Sequence, residues 1–160
     1  MDFEIDVSGE DILSKDYTIC IACEGTIKGF KMPSNHIRIL ASKFGQHLYR
    51  YKKSKKGRSD FKVRAYSIII YHLFRSLKID NSISLSICRD FNGKEEEIKS
   101  NLHHFLDKLL GLKIDSINFC KLTRDSIAHE YSYLMRKDIK NKMNTYVKIR
   151  LEDIEKFLRR

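Results

Sequence analysis

The chain of 160 residues contains no tryptophan, one proline and one glutamine, Gln46. With so little proline and only seven glycines, no Pro- or Gly-rich linker divides the chain, and no internal repeat is visible. The length suits one domain and is sufficient to bury a hydrophobic core. We therefore predict a single domain over residues 1–160.

Long apolar runs are also absent. No stretch approaches the roughly 20 apolar residues that a membrane-spanning helix requires. The first residues, 1–6, are acidic and lack the basic start and apolar centre of a signal peptide. We therefore expect a soluble, cytoplasmic protein that has no membrane partner.

Several catalytic signatures are missing too, because the chain has no Walker-type glycine loop, no Cys/His zinc pattern and no G-x-S-x-G motif. Cys20 and Cys23 have the C-x-x-C spacing that can indicate zinc or redox chemistry. On a strand, however, residues three apart point to opposite faces, so the two thiols would not chelate one ion. We interpret all four cysteines as reduced core residues, namely Cys20, Cys23, Cys88 and Cys120.

Histidine offers no obvious chelating pair. His103 and His104 are adjacent on a predicted helix, where neighbouring side chains diverge by about 100°. We interpret both as surface residues.

Positive charge is abundant, since 31 Lys and Arg residues face 21 Asp and Glu residues, for a net charge of +10. Such an excess favours a polyanionic partner, DNA or RNA. A general compositional bias towards lysine is the alternative. Aromatic and basic residues alternate around 49–58, which suits phosphate contact and base stacking, although a solvated loop has the same composition. The predicted nucleic-acid-binding residues are Arg50, Lys52, Lys53, Lys55, Lys56, Arg58 and Lys62.

The apolar periodicity predicts alternating strands and helices. Residues 1–15 carry little pattern and are interpreted as an extension or a loose first turn, 44–51 as strand or loop, and 52–58 as a basic loop. Ser59 or Asp60 is expected to cap the helix that follows this loop. The predicted strands are 17–24, 26–32, 83–89, 114–122 and 145–150, and the predicted helices are 36–43, 61–78, 95–112, 126–137 and 151–160.

Two acidic residues end predicted strands. Glu24 follows the apolar run 17–23, and Asp90 follows the run 83–88. If these strands lie side by side and parallel, the two carboxylates meet at one edge of the sheet, where they would hold a divalent metal beside a phosphate substrate. The alternative is that each acid is an ordinary surface residue at a strand end.

The order of these segments resembles the ribonuclease H-like superfamily. Residues 19–26, followed by Gly29, are similar to that family's first strand, an apolar run that ends in Asp-Gly-Ser before a hairpin glycine. Residues 62–73 have the spacing of its first helix, and 85–90 are similar to its fourth strand, which ends in Asp. Residues 117–130 are similar to its fifth strand and final helix. The resemblance covers roughly 17–137.

The resemblance implies an α/β fold with a ribonuclease H-like mixed sheet, in which an antiparallel hairpin region joins parallel strands and helices cover both faces. The core would span about 17–137, followed by a strand and helix at 145–160. The implied function is a nucleic-acid-binding protein that cleaves phosphodiester bonds with Mg or Mn. The alternatives are a non-catalytic nucleic-acid-binding or regulatory module on the same fold, and a structural partner protein without nucleic-acid affinity.

The family's metal ligands map onto only part of this chain. Glu24 replaces the first Asp and, with Asp90, would hold the metal. Lys62 stands where the family has a metal-coordinating Glu, and the nearest acid is Asp60. Residues from the last predicted helix and its approach would complete the catalytic set, namely Asp125, His129 or Glu130.

Overall fold

The computed structural model describes residues 1–159, which form one mixed sheet with helices on both faces. The strands are β1 (Asp2–Ser8), β2 (Thr18–Cys23), β3 (Thr26–Lys31), β4 (Ile83–Cys88) and β5 (Ile114–Cys120). The helices are α1 (Ser34–Gly45), α2 (Lys55–Arg75), α3 (Glu95–Leu102), a π-helix (His103–Leu109), α4 (Ile127–Lys137) and α5 (Leu151–Glu155).

The five strands follow the order β3-β2-β1-β4-β5. β1 pairs antiparallel with β2, and β2 with β3, whereas β1 pairs parallel with β4, and β4 with β5. The predicted α/β class and the combination of an antiparallel hairpin region with parallel strands are therefore confirmed.

The central strand is β1, so the interpretation of residues 1–15 as an extension was wrong, as was the predicted start of the core at residue 17. The strand alternates as a half-buried strand should. Phe3 and Ile5 point towards α2, where Phe3 packs edge-on against Phe74 at a ring-centroid distance of 4.9 Å. Glu4 and Asp6 alternate with them, so their side chains lie on the opposite face. These acids lower the hydrophobicity of the segment and conceal the pattern.

α2 begins earlier than predicted, and the expected basic loop at 52–58 was wrong from residue 55 onwards. Ser54 caps the helix by accepting a hydrogen bond from the Gly57 backbone nitrogen at 3.0 Å, rather than Ser59 or Asp60. Much of the basic segment therefore lies on the first two turns of a 21-residue helix, where its cations are held at helical spacing.

The two faces of the sheet are covered unequally. α2 packs on one face through a continuous run of buried residues, from Ala65 to Phe74. α4 packs on the other face, against β1, β2 and β3. Ser116 and Asn118 of the edge strand β5 are exposed, because α4 does not extend over that half of the sheet.

The predicted helix at 95–112 is confirmed, although its second half is a π-helix that continues directly from α3. Gly111 ends it in the left-handed conformation, at φ 78°. Its backbone nitrogen donates to Asp107 O, and Leu112 N donates to Leu106 O. These bonds satisfy the last carbonyls of the helix.

The carboxyl-terminal segment lies beside the edge of β3. In place of the strand predicted at 145–150, Tyr146 forms one parallel bridge with Gly29. The flanking bonds are Gly29 N to Thr145 O and Val147 N to Gly29 O. The predicted terminal helix is also shorter, as α5. Within residues 1–159, no helix is both long enough and apolar enough to cross a membrane.

Candidate metal centre

Asp6, Cys88 and Asp90 converge at the carboxyl ends of β1 and β4. Each offers one potential ligand atom, and these atoms all lie within 4.8 Å of one another. The side chain of Asp6 is buried, at 3% exposure, whereas Asp90 lies two residues beyond β4 and is exposed. The group is thus open to solvent on one side and closed on the other. It could hold a metal ion.

Asp6 is held by two hydrogen bonds. Its Oδ1 accepts from the Val7 backbone nitrogen at 2.8 Å, and its Oδ2 lies 2.8 Å from His129 Nδ1. An ionised carboxylate can only accept, so this contact requires the proton of the His129 ring to be on Nδ1. The His129 side chain is half exposed, which leaves its second nitrogen accessible.

The position of His129 depends on the start of α4. Ser126 caps that helix by accepting from the His129 backbone nitrogen. Glu4 of β1 in turn accepts from Ser126 Oγ at 2.9 Å and lies 3.5 Å from the Ala128 nitrogen. The solvent-side face of β1 therefore fixes both the helix start through Glu4 and the histidine ring through Asp6.

The two carboxylates and the thiol perturb one another. Desolvation, and then repulsion by Asp6, raises the pKa of Asp90 to about 7. Desolvation, and then the charges of Asp90 and Asp6, raises the pKa of Cys88 to about 12. The thiol consequently stays protonated at neutral pH, while Asp90 is partly ionised.

This titration has a consequence for stability in the absence of metal. Because the folded-state pKa of Asp90 is about 7 and its ordinary value is 3.8, the folded protein binds more protons than the unfolded chain between those values. We expect the free energy of unfolding to fall as pH rises through that window and then to level off.

Urea unfolding in EDTA, at about pH 4 and about pH 8, measures the effect against Asp90→Asn. The variant lacks the titrating group, so its stability should fall less over the same interval. Exposure of Asp90 screens the effect and reduces its size. Parallel pH profiles for the two proteins would contradict the expectation.

Glu24 does not join this group, and its predicted convergence with Asp90 was wrong. The strand that precedes it, β2, pairs with β1 and β3 rather than with β4. β2 runs antiparallel to β1, whereas β4 runs parallel to it. Glu24 therefore lies at the opposite end of the sheet from Asp90.

The other predicted catalytic residues divide into two groups. Asp90 lies in the cluster and His129 contacts it, whereas Asp125 and Glu130 are exposed near the start of α4 and contribute no atom to the group. Lys62 Nζ lies 2.6 Å from Asp11 Oδ2.

The predicted nucleic-acid-binding cations lie on α2 and on the loop before it. The exposed members are Arg50, Lys52, Lys53, Lys55, Lys56 and Arg58. Lys56 pairs with Asp60, which Lys94 also contacts. Arg58 lies over the Phe44 ring at 5.5 Å.

Asp6 is the residue that sequence reasoning missed. The signal was the alternation of Phe3, Ile5 and Val7 with acidic residues, followed by Gly9, which is a short strand that runs into a turn. All four cysteines are free thiols. Cys20 is buried, and the other three are part-buried.

No family model matches the chain, and the comparisons with curated proteins and with solved structures also give no match. Function is therefore inferred from the chemistry of the site.

Proposed function

We propose that this protein is a ribonuclease H-like nuclease that uses a divalent metal ion, Mg²⁺ or Mn²⁺, to cleave phosphodiester bonds of DNA or RNA. The observation that carries the proposal is the convergence of Asp6 and Asp90 at the ends of two adjacent parallel strands. In open α/β sheets, ligands bind beyond the carboxyl ends of the strands.

The order of elements supports the family assignment once β1 is taken as the first strand. β2 and β3 follow β1 as hairpin strands, the long helix α2 precedes β4, and α4 follows β5. Asp6 then corresponds to the family's first Asp, and Asp90 to the Asp that ends its fourth strand. The resemblance therefore improves when it is shifted by one strand.

The donor atoms fit a hard cation. Carboxylate oxygens suit Mg²⁺ and Mn²⁺, whereas thiolate sulfur suits softer metals. Because the pKa of Cys88 is raised to about 12, its sulfur is a neutral thiol and a poor competitor for the ion. Repulsion between Asp6 and Asp90, which contributes to the raised pKa of Asp90, is relieved when a cation lies between them.

A divalent ion at this position supplies charge stabilisation for the phosphoryl group and the departing oxygen. The chain itself supplies the orientation. Asp6 holds the His129 ring with Nδ1 protonated, so Nε2 is the basic nitrogen and is open to solvent. His129 is then positioned to accept or donate a proton during hydrolysis.

A non-catalytic nucleic-acid-binding module is the second candidate. It is favoured by α2, which brings no carboxylate to the cluster of residues 1–159: Lys62 pairs with Asp11, and Asp60 with Lys56 and Lys94. This candidate predicts salt-dependent binding without turnover.

The test is cleavage of end-labelled oligonucleotides, both DNA and RNA, by the wild-type protein and by Asp90→Asn, with Mg²⁺, Mn²⁺ or EDTA. We expect cleavage by the wild type with metal only, and its loss in the variant. A parallel thermal melt should show that Mn²⁺ stabilises the wild type and has little effect on the variant, because only the wild type binds the ion tightly. Metal-independent cleavage, or an active Asp90→Asn protein, would refute the proposal; binding without cleavage would favour the second candidate.

A further inference from the structure

A groove runs between α2 and the α3–π-helix pair, away from the metal centre. It consists of three adjoining cavities of about 320, 320 and 430 Å³. Arg50, Tyr51, Lys56 and Asp60 line both of the first two, whereas Arg64 and Asn101 line both the second and the third. These shared walls make the groove continuous over at least the helical distance from Lys56 to Arg64, about 12 Å.

The largest cavity is lined by polar and basic side chains alone: Arg64, Ser100, Asn101, His103, His104 and Lys108. No carboxylate is among these residues. The two acids farther along the groove are Asp60, which pairs with Lys56 and Lys94, and Glu97, whose carboxylate lies 3.9 Å from Lys94. The groove therefore carries an excess of positive charge, since its own acids are already paired.

Arg64 is fixed at the junction of two of the cavities. Its guanidinium lies 4.6 Å from the centroid of the Phe105 ring, and NH1 donates to Asn101 Oδ1 at 2.8 Å. Nε donates to the Phe157 carbonyl at 3.4 Å. Among residues 1–159 the charge therefore has neutral partners only, and part of the five-donor fork remains available to a ligand.

The cations of the groove repel one another. Desolvation, and also repulsion by Arg50, lowers the pKa of Arg64. Desolvation, then Arg64 and Lys108, lowers the pKa of His104. A half-buried charge without a counter-ion is costly, and an anion in the groove would compensate it.

We propose that this groove binds the sugar–phosphate backbone of a single nucleic-acid strand, with Arg64 as the central phosphate contact and Lys108 and Lys52 towards its two ends. The guanidinium fork matches the geometry of phosphate oxygens. Tyr51 lines two of the cavities and offers a ring on which a base can stack. A continuous groove fits a strand with repeated charge better than it fits one isolated anion.

This inference rests on the proposed function for the identity of the polyanion, but its site is separate from the metal centre. It extends the predicted basic segment, because Arg64, His104 and Lys108 lie outside that segment. His103 and His104 are exposed, as expected from the sequence, and they line a charged cavity.

The test measures fluorescence anisotropy of labelled single-stranded DNA and RNA oligonucleotides in EDTA, so that neither metal binding nor cleavage contributes. The variants are Arg64→Gln and Lys108→Gln. The matched control is Arg75→Gln, an exposed arginine at the end of the same helix and outside the groove. We expect Arg64→Gln to weaken binding about tenfold. Each groove variant should also reduce the salt dependence of binding, by about 0.7 in the slope of log K against log salt, while the control retains wild-type binding.

Arg64→Gln also removes packing on Phe105, so a thermal melt accompanies every variant; if Arg64→Gln is unfolded, the exposed Lys108→Gln decides. The proposal is overturned if neither groove variant weakens binding, or if Arg75→Gln weakens it equally. Displacement of the oligonucleotide by inorganic phosphate at equal phosphate concentration would also overturn it, because a single-anion site would then account for the binding. Loss of nuclease activity with intact binding in EDTA would refute the proposed function and leave the groove unaffected.

Discussion

Replacing Asp6 with asparagine is expected to lower metal-dependent cleavage about a thousandfold while the protein remains folded. Loss of a metal ligand removes several kcal/mol of charge stabilisation, and about 1.4 kcal/mol corresponds to a tenfold change in rate. Asparagine retains the shape of the side chain, and its amide oxygen can still accept from the Val7 nitrogen. The measurements are initial cleavage rates at saturating Mn²⁺ and the Mn²⁺ dissociation constant, which should rise sharply.

Glu24→Gln is the matched control for this substitution. It removes the same charge from an exposed acid at the other end of the sheet, and it should leave both rate and metal affinity unchanged. Asp6→Asn should also lower the pKa of Asp90, because the charge of Asp6 is one cause of its elevation. Equal activities of Asp6→Asn and wild type, or loss of activity in Glu24→Gln, would assign the chemistry to a different site.

Gly57→Ala is expected to destabilise the fold by about 2 kcal/mol, although alanine usually favours helices over glycine. Gly57 is buried in the first turn of α2. A Cβ at this position would overlap the carbonyl oxygen of Lys52 and come within 3.0 Å of the Lys52 backbone nitrogen. Backbone atoms cannot rotate away as a side chain can, so the loop before α2 must move. Urea unfolding would measure the loss.

Gly45→Ala serves as the control for the glycine substitution. Gly45 is the last residue of α1, and an added Cβ would meet nothing within 4 Å. Its stability should be unchanged or higher by up to about 1 kcal/mol, because alanine has less conformational freedom in the unfolded chain. If both variants were as stable as wild type, the close approach of Lys52 to α2 would not constrain the structure.

Local pattern was sufficient for most helices and strands of this chain. The apolar stripe and acidic first turn of the helix that starts at Glu95, and Gly111 at its end, were recognisable because each depends on neighbours within a few residues. The start of α2 was placed too late, because a run of cations around Gly57 reads as a loop. The cap at Ser54 and the packing of Lys52 against the helix depend on contacts that composition does not show.

Half of the candidate site followed from the sequence. Asp90 and His129 were identified, the first as an acid at a strand end and the second from its place near the last long helix. Asp6 was missed because its strand alternates acids with apolar residues and was discounted in favour of the more hydrophobic run at β2. That hydrophobicity reflects burial on both faces, by α2 and α4, rather than a place at the centre of the sheet.

By itself, then, the sequence determined the α/β class, the alternation of strands and helices, the excess of positive charge and the strand-end position of Asp90, since these follow from composition and short-range periodicity. Only the tertiary structure decided which strands are neighbours. Strand pairing joins residues that are distant in the chain, and antiparallel pairing of β2 reverses the end at which its last residue lies. That reversal separates Glu24 from Asp90, and the parallel pairing of β1 with β4 brings Asp6 to Asp90 instead.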